Sequence, residues 1–358
     1  MQIQGTVKGI YYPDHLPFIT SDISWKNGSF SMKDLPLGFE RVNGRFGLDL
    51  DLNKQSELTI KSLSATTRKR NQLSVSGTVK NLFGKMLCNL LANGYLHVSD
   101  FKDFLPEYFT QCDGKADIQV KTQLEYDPET DFSVDNINQA VVNGQFANLE
   151  LLYDDTLSVY SPDLHVDLTF PVTEKPYQIN EWLNAKIKTS ELLVKNKRSQ
   201  VRKEIAGTSI QLDAYTNNVL DSTVELKFAT TYQLEQLNMW ADTVSAQFSH
   251  PKGVFVLKNM NQMRLDYGGD AIKVNVGASH SIDSKKNDLY DVATENINLH
   301  AEIDYKENEE HPLLQWSPTV KLQTTNAKAE IRDVAHAIVI PSLNVDFNPQ
   351  KCVLKKAN

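Results

Sequence analysis

The sequence predicts an all-β protein, an elongated and curled antiparallel sheet of repeated hairpins (an open β-groove) with a few short helices. Three observations favour this class. Apolar and polar residues alternate along much of the 358-residue chain, dipeptides typical of tight turns recur, and helical periodicity is confined to short pieces. Because alternate side chains of a strand point to opposite sides, the predicted sheet has one apolar and one polar face.

Alternation defines the candidate functional residues. The positions predicted on the apolar face are Phe46, Leu48, Leu50, Leu52, Ile118, Val120, Leu124, Leu164, Val166, Leu168, Phe170, Val224, Leu226, Phe228, Ile297, Leu299 and Ile303. Their neighbours are often charged, as Asp49 and Asp167 are, so the second face is predicted to meet water rather than another sheet.

Turn and helix signals divide the predicted strands. The turn dipeptides are Asn27-Gly28, Asn43-Gly44, Asp113-Gly114, Asn143-Gly144 and Gly268-Gly269. Short helices of two or three turns are predicted over residues 82–91 and 233–241. A third, over residues 100–109, is shortened by Pro106.

A loose repeat suggests a single architecture throughout. Residues 27–52, 143–170 and 326–349 each open with asparagine and a small residue and end in an alternating strand. No linker rich in proline, glycine or serine separates them, so residues 1–358 are predicted to form one elongated repetitive segment. Both ends lie within strand-like sequence, which we interpret as the mark of a piece of a longer protein.

Composition excludes several classes of protein. Hydrophobic residues make up 41% and charged residues 23% of the chain, as in globular proteins. The net charge of -8 argues against a nucleic-acid partner, which requires clustered lysine and arginine. No apolar run is long enough for a transmembrane helix, and the first residues do not form a signal peptide. The cysteines, Cys88, Cys112 and Cys352, are interpreted as buried free thiols, although Cys88 and Cys112 could pair.

Residues that carry chemistry form no recognisable site. The eight histidines are scattered singly, and nucleophile elbows, phosphate-binding loops and dinucleotide fingerprints do not occur. The prediction is therefore a protein without catalytic residues, metal or cofactor. Two basic stretches, residues 68–70 and 195–203, are interpreted as solubilising loop charge or, alternatively, as contacts to anionic lipid headgroups.

The order of elements over roughly the first 110 residues resembles the AsmA-like family of bacterial envelope proteins, relatives of TamB. The resemblance is carried by PFITSDISWKNGSFSMKDLPLGFERVNGRFGLDLDL (17–52) and ELTIKSLSATTRKRNQLSVSGTVKNL (57–82), and it recurs faintly at 326–357. It implies an apolar groove that guides phospholipid acyl chains between the inner and outer membranes. It also implies a periplasmic location, with a membrane anchor outside this chain.

From the residues alone, two architectures stay open. Alternation would equally arise in β-sandwiches whose apolar faces pack on one another, and such an array could bind protein or glycan as a structural or adhesive module. A glycan-active enzyme is a second alternative, because any two carboxylates could meet in space. The resemblance favours the open groove.

Overall fold

The structure is a computed structural model. It describes residues 2–8, 18–30, 38–51, 56–67, 71–104, 106–131, 133–172, 182–200, 202–217, 225–259, 261–277, 288–305, 316–348 and 351–357. By its internal contacts the chain divides into two compact units. The first unit comprises Met1–Glu107, Cys112–Ala147 and Val166–Pro171, and the second comprises Tyr108–Gln111, Asn148–His165 and Val172–Asn358. The prediction of a single segment over residues 1–358 stays a prediction.

The described residues form strands almost throughout, so the all-β class is confirmed. The first nine strands are β1 (Gln2–Lys8), β2 (Phe18–Phe30), β3 (Phe39–Leu50), β4 (Ser56–Thr67), β5 (Gln72–Lys80), β6 (Met86–His97), β7 (Phe109–Tyr126), β8 (Ile137–Tyr153) and β9 (Leu157–Phe170). The remaining strands are β10 (Leu183–Asn196), β11 (Lys203–Thr216), β12 (Phe228–Gln233), β13 (Gln236–Ala241), β14 (Val244–Ser249), β15 (Lys252–Asn259), β16 (Gln262–Gly277), β17 (Asp288–Tyr305), β18 (Trp316–Ile331), β19 (Ile338–Asn348) and β20 (Lys351–Ala357). Two 3-10 helices occupy Val98–Phe104 and Val134–Asn136.

The first unit is an antiparallel meander. Each strand from β1 to β6 pairs with its successor in the chain, and β6 pairs with β7 over the full length Met86–His97. Consecutive pairing of this kind is the hairpin order that the sequence predicts. Local connections suffice for it, since antiparallel strands need no long crossover.

The second unit is also antiparallel but contains two interrupted strands. The long strand β11 pairs with β12 along one half and with β13 along the other. Likewise β15 and β14 pair with successive halves of β16. Strands β16 to β20 then follow in hairpin order.

Two of the three helix predictions are wrong. Residues 86–91 belong to β6, where Cys88 lies opposite Leu124, and residues 236–241 form β13. Apolar residues four apart lie on one side of a helix and also on one face of a strand, and pairing with neighbouring strands overrides local propensity. The third prediction, residues 100–109, overlaps the 3-10 helix Val98–Phe104, which ends before Pro106.

All five turn predictions are wrong as well, because each dipeptide lies inside a long strand. They fall within β2, β3, β7, β8 and β16. Asn27 has a φ of 53° and Gly114 a φ of 120°, and the pairing of β2 with β3 shifts register between Trp25 and Gly28. At Asn27 the positive φ and the register shift together mark a β-bulge, which favours the same residue types as a hairpin turn.

Bulges occur together with steps of three in the apolar pattern, which keep the apolar side chains on one face of a long strand. In β4 the alternation of Leu58 and Ile60 resumes at Leu63, where the register with β5 shifts. In β17 the side chains of Ile297 and Thr294, three residues apart, share one face, and Asn296 between them has a φ of 49°. An extra residue reverses the side on which later residues lie. The step of three in the apolar pattern therefore compensates for each bulge.

Gly77 allows the closest backbone approach in the first unit. Its φ is 148°, and a β-carbon there would collide with the carbonyl oxygen of Asn89 on β6. We expect Gly77→Ala to lower the free energy of unfolding by about 2 kcal/mol, through backbone strain and displacement of β6. Gly84→Ala is the matched control, because a β-carbon added there would have no heavy atom within 4 Å beyond its chain neighbours. Urea unfolding measures the free energy of unfolding of both variants. Equal stability of the two would contradict the close approach of β6 to Gly77.

A buried polar network closes the end of the β4–β5 hairpin. Asn71 is fully buried; its Nδ2 donates to Asp100 Oδ2 at 2.8 Å, and its Oδ1 accepts the backbone N–H of His97 at 2.7 Å. Its backbone N–H donates to Thr67 Oγ1 at 3.2 Å. One side chain thus connects the hairpin to the junction between β6 and the first 3-10 helix.

In the second unit, Asp163 joins β9 to β10. Its Oδ1 accepts hydrogen bonds from the Ser190 hydroxyl at 2.7 Å and from the Ser190 backbone N–H at 2.8 Å. These bonds favour the ionised carboxylate and lower the pKa of Asp163.

Cys88 and Cys112 are buried free thiols, as predicted. Burial raises the pKa of the Cys88 thiol, which keeps it in the unreactive protonated form. The side chain of Cys352 lies outside the described residues.

Candidate functional site: an apolar sheet face

One face of the first unit is apolar across six consecutive strands, β2 to β7. Directly opposed residues of neighbouring strands share a face, so the register assembles rows of side chains. One row is Leu48, Leu58, Val79, Cys88 and Leu124. A second row is Ile23, Phe46, Ile60, Gly77, Leu90 and Thr122, and a third is Trp25, Gly44, Leu63, Val75, Ala92 and Val120. We call this surface the first apolar face.

The opposite face of the same strands is mainly polar, although β6 contributes Leu87, Leu91 and Tyr95 to it. Its rows pair Asp49 with Glu57 and Lys80, and Ser64 with Ser74 and Asn93. Lys61 pairs with Asp22, and Lys80 Nζ lies 3.8 Å from Glu57 Oε2. Exposed ion pairs of this kind contribute little stability. Their consistent placement nevertheless defines which side of the sheet meets water.

A cavity of about 410 Å³ opens on the first apolar face. It is lined by Trp25, Phe39, Val42, Phe46, Leu63, Ala65, Leu73 and Val75, all of them apolar. The ring of Phe46 folds over Gly44, where a β-carbon would lie 2.5 Å from it. Binding pockets for small molecules commonly have volumes of about 300–1,000 Å³. The cavity is therefore large enough for part of an apolar ligand and has no charged side chain in its lining.

The large side chains of the first apolar face are only partly buried. Phe46, Leu48, Leu63, Val75 and Val120 all remain partly accessible, and Trp25 is 40% exposed. In a sandwich core these positions would be closely packed between two sheets. Partial exposure of so many aromatic and aliphatic residues favours a face that is open to a ligand.

The second unit repeats the same separation of faces. One of its rows is Phe228, Leu257, Met263 and Ile303; another is Leu212, Tyr232, Gly253, Tyr267, Leu299, Leu322 and Val345. Burial raises the pKa of Tyr232 to about 12, and its hydroxyl donates to the Asp266 backbone carbonyl at 3.1 Å. We call this surface the second apolar face.

The structure places most predicted lining residues on these faces. Phe46, Leu48 and Leu50 share the first apolar face with Ile118, Val120 and Leu124. Phe228, Ile297, Leu299 and Ile303 share the second. Leu164, Val166, Leu168 and Phe170 are partly buried at alternate positions of β9. Leu226 is exposed and precedes β12, whereas Leu52 and Val224 lie outside the described residues. Their function as lipid-lining residues stays a prediction.

The cavity was largely missed from the sequence, since Phe46 is its sole lining residue among the predicted positions. Leu63, Leu73 and Val75 come from β4 and β5, whose alternation is broken by a bulge and diluted by serine. Trp25 lies two residues before Asn27-Gly28, a pair that by sequence predicts a turn. An allowance for one step of three would identify Leu63, whereas Leu73, Val75 and Trp25 follow regular alternation within their strands.

Titratable residues of the described strands form structural clusters. Asp266 lies beside His300, with Nδ1 and Oδ1 2.5 Å apart, and it accepts a hydrogen bond from Arg264 Nε at 2.9 Å. Burial opposes ionisation of Asp266, but the hydrogen bonds from His300 and Arg264 leave its pKa below the ordinary value. Within the described ranges, no group of three histidine, cysteine, aspartate or glutamate residues is arranged to hold a metal ion.

The basic stretch at 195–203 lies among carboxylates. Lys195 and Arg202 approach Glu204 at 3.9 and 3.4 Å, and Lys197 approaches Glu150 at 3.4 Å. The guanidinium of Arg202 also lies 4.1 Å from the centre of the Trp240 ring. These contacts favour the interpretation that the basic residues of 195–203 pair with carboxylates of the same chain rather than with lipid headgroups. Residues 68–70 lie outside the described part of the chain.

Searches of protein-family models, curated proteins and solved structures found no match to the chain. In the part that the structure describes, no helix is both long and apolar enough to span a membrane.

Proposed function

We propose that the chain binds acyl lipids along its apolar faces, beginning with the first apolar face and its cavity. The supporting observation is the register. It places apolar residues of six consecutive strands on one side, in rows that remain partly exposed. Hydrocarbon chains match such a surface, which excludes water without presenting hydrogen-bonding groups.

The magnitude of the hydrophobic effect supports an acyl ligand. Each methylene group removed from water contributes about 0.8 kcal/mol, so a chain of about 14 carbons could gain on the order of 10 kcal/mol. Because this gain is distributed over many contacts, no single residue needs unusual chemistry. That agrees with a face built from leucine, valine and isoleucine, and the proposed activity is non-enzymatic.

The resemblance to AsmA-like proteins suggests the setting. We propose a periplasmic protein, tethered to the inner membrane through a segment outside this chain, that guides phospholipids in outer-membrane biogenesis. This part of the proposal is supported by the sequence pattern of residues 17–82 and by the all-β hairpin order.

Site-specific photocrosslinking in cells tests the lipid proposal. We expect crosslinkers at Leu48, Leu58 and Val79 to capture phospholipid, because these residues form one row of the first apolar face. Asp49, Glu57 and Lys80 are the matched controls, adjacent in sequence and in one row of the polar face. Equal lipid capture at the two rows would overturn the proposal, as would no capture at either.

A further inference from the structure

The turn between β18 and β19 exposes an unusual set of apolar side chains. Every residue from 331 to 339 is exposed. Val334 is 54% exposed, Ile338 53% and Val339 59%, although aliphatic residues usually prefer burial. We call residues 331–339 the apolar tip.

The apolar tip is apolar on both sides of the sheet. Ile338 and Val339 are successive strand residues, so their side chains point to opposite faces. Ile338 lies opposite Ala329, and Val339 lies opposite Lys328. A partner lying flat on one face would cover only one of them. A surface that covers both must surround the tip, as a lipid interface does.

Exposed apolar residues of the neighbouring strand β17 extend the tip. Tyr290 lies opposite Ile331 and Val276, and Val292 lies opposite Ala329. Both Tyr290 and Val292 are exposed. A contiguous exposed patch of this kind marks an interaction surface, and tyrosine is well suited to the boundary between water and lipid.

The tip has no excess of basic residues. Lys328 forms an ion pair with Glu330, Arg332 is followed directly by Asp333, and Asp291 lies opposite Glu330. Such a set of charges gives no attraction to anionic headgroups, which polybasic segments provide. Pro341, near the start of β19, lacks the N–H that an added strand would need, so it disfavours a protein partner that extends the sheet.

We propose that the apolar tip inserts Val334, Ile338 and Val339 into the interfacial region of a zwitterionic phospholipid bilayer. The insertion is shallow, because the backbone groups of the turn must stay within reach of water and headgroups. This membrane contact goes beyond acyl binding on the sheet faces and does not depend on it.

The test measures cosedimentation of the full chain with phosphatidylcholine vesicles. We expect the triple variant Val334→Ser, Ile338→Ser, Val339→Ser to lose at least tenfold in vesicle partitioning. Phe83→Ser is the matched control, since Phe83 is 70% exposed in another turn and its loss should leave partitioning unchanged. Replacing a third of the lipid by phosphatidylglycerol should not strengthen binding of the parent chain.

Three results would overturn the inference. They are unchanged partitioning of the triple variant, loss of partitioning in the Phe83 control, and self-association of the parent chain through the tip without vesicle binding. Binding of a soluble fluorescent fatty acid separates this inference from the proposed function. The triple variant should retain fatty-acid binding even where vesicle binding is lost, whereas failure of the parent chain to bind the fatty acid would count against the proposed function alone.

Discussion

Replacing Val75 by aspartate is expected to lower the affinity of the chain for a fluorescent fatty acid at least a hundredfold. Val75 lines the cavity on the first apolar face, between Leu63 and Ala92 of the neighbouring strands. A bound acyl chain would remove the carboxylate from water without offering a partner, which costs several kcal/mol. A hundredfold loss corresponds to about 2.7 kcal/mol. Titration of the fatty acid against the variant measures the effect.

Ser74→Asp provides the control for this experiment. Ser74 adjoins Val75 on β5 but lies in the polar row with Ser64 and Asn93. The same charge there stays in water, so binding should change less than about twofold. Equal weakening by the two substitutions would mean that the fatty acid does not use the apolar face, provided that circular dichroism shows both variants folded.

Replacing Asn71 by leucine is expected to cost more stability than any other of these substitutions, about 3–5 kcal/mol. Two buried groups, the Asp100 carboxylate and the His97 backbone N–H, would each lose a hydrogen bond. Each such loss costs about 1–3 kcal/mol, more where a charged group is involved. Equilibrium urea unfolding followed by tryptophan fluorescence gives the free energy.

Gln72→Leu is the matched control, because Gln72 is the next residue and is exposed. Its effect should stay within about 0.5 kcal/mol. A second variant, Asn71→Asp, would place a carboxylate against Asp100, so its destabilisation should diminish as the pH falls and one carboxyl group becomes protonated. If the Asn71→Leu variant were as stable as the parent chain, that result would contradict the proposed hydrogen-bond network.

The fold class could be predicted because alternation is a local signal. Strands such as β7 show it without interruption, with Cys112, Ala116, Ile118 and Val120 on the less exposed side. The helix prediction at 82–91 failed because a short apolar run fits either periodicity, and only pairing with β5 and β7 decides between them. The turn predictions failed because strand pairing overrides the preference of these residue types for turns. At Asn27 the positive φ that a turn would use serves a bulge instead.

The candidate site could be predicted only in part. Phe46 and Val120 were placed on one face by alternation alone, yet nothing local shows that Trp25, Leu63 and Val75 surround one cavity. Those residues lie on three strands, and their meeting depends on the register shifts of β4 with β3, between Arg45 and Phe46, and with β5, between Ile60 and Leu63. Similarly, Asn71 is unremarkable in the sequence and acquires its importance through Asp100, which lies 29 residues away.

By itself, then, the sequence determined that this protein is built of strands with one apolar and one polar side, since a strand's side-chain period is fixed by covalent geometry. The tertiary structure decided which strands pair, where the bulges fall, and that apolar rows of six strands in the first unit coincide on one partly exposed face. Register is a property of two chain segments together, and a one-residue slip would send every side chain of a strand to the opposite face.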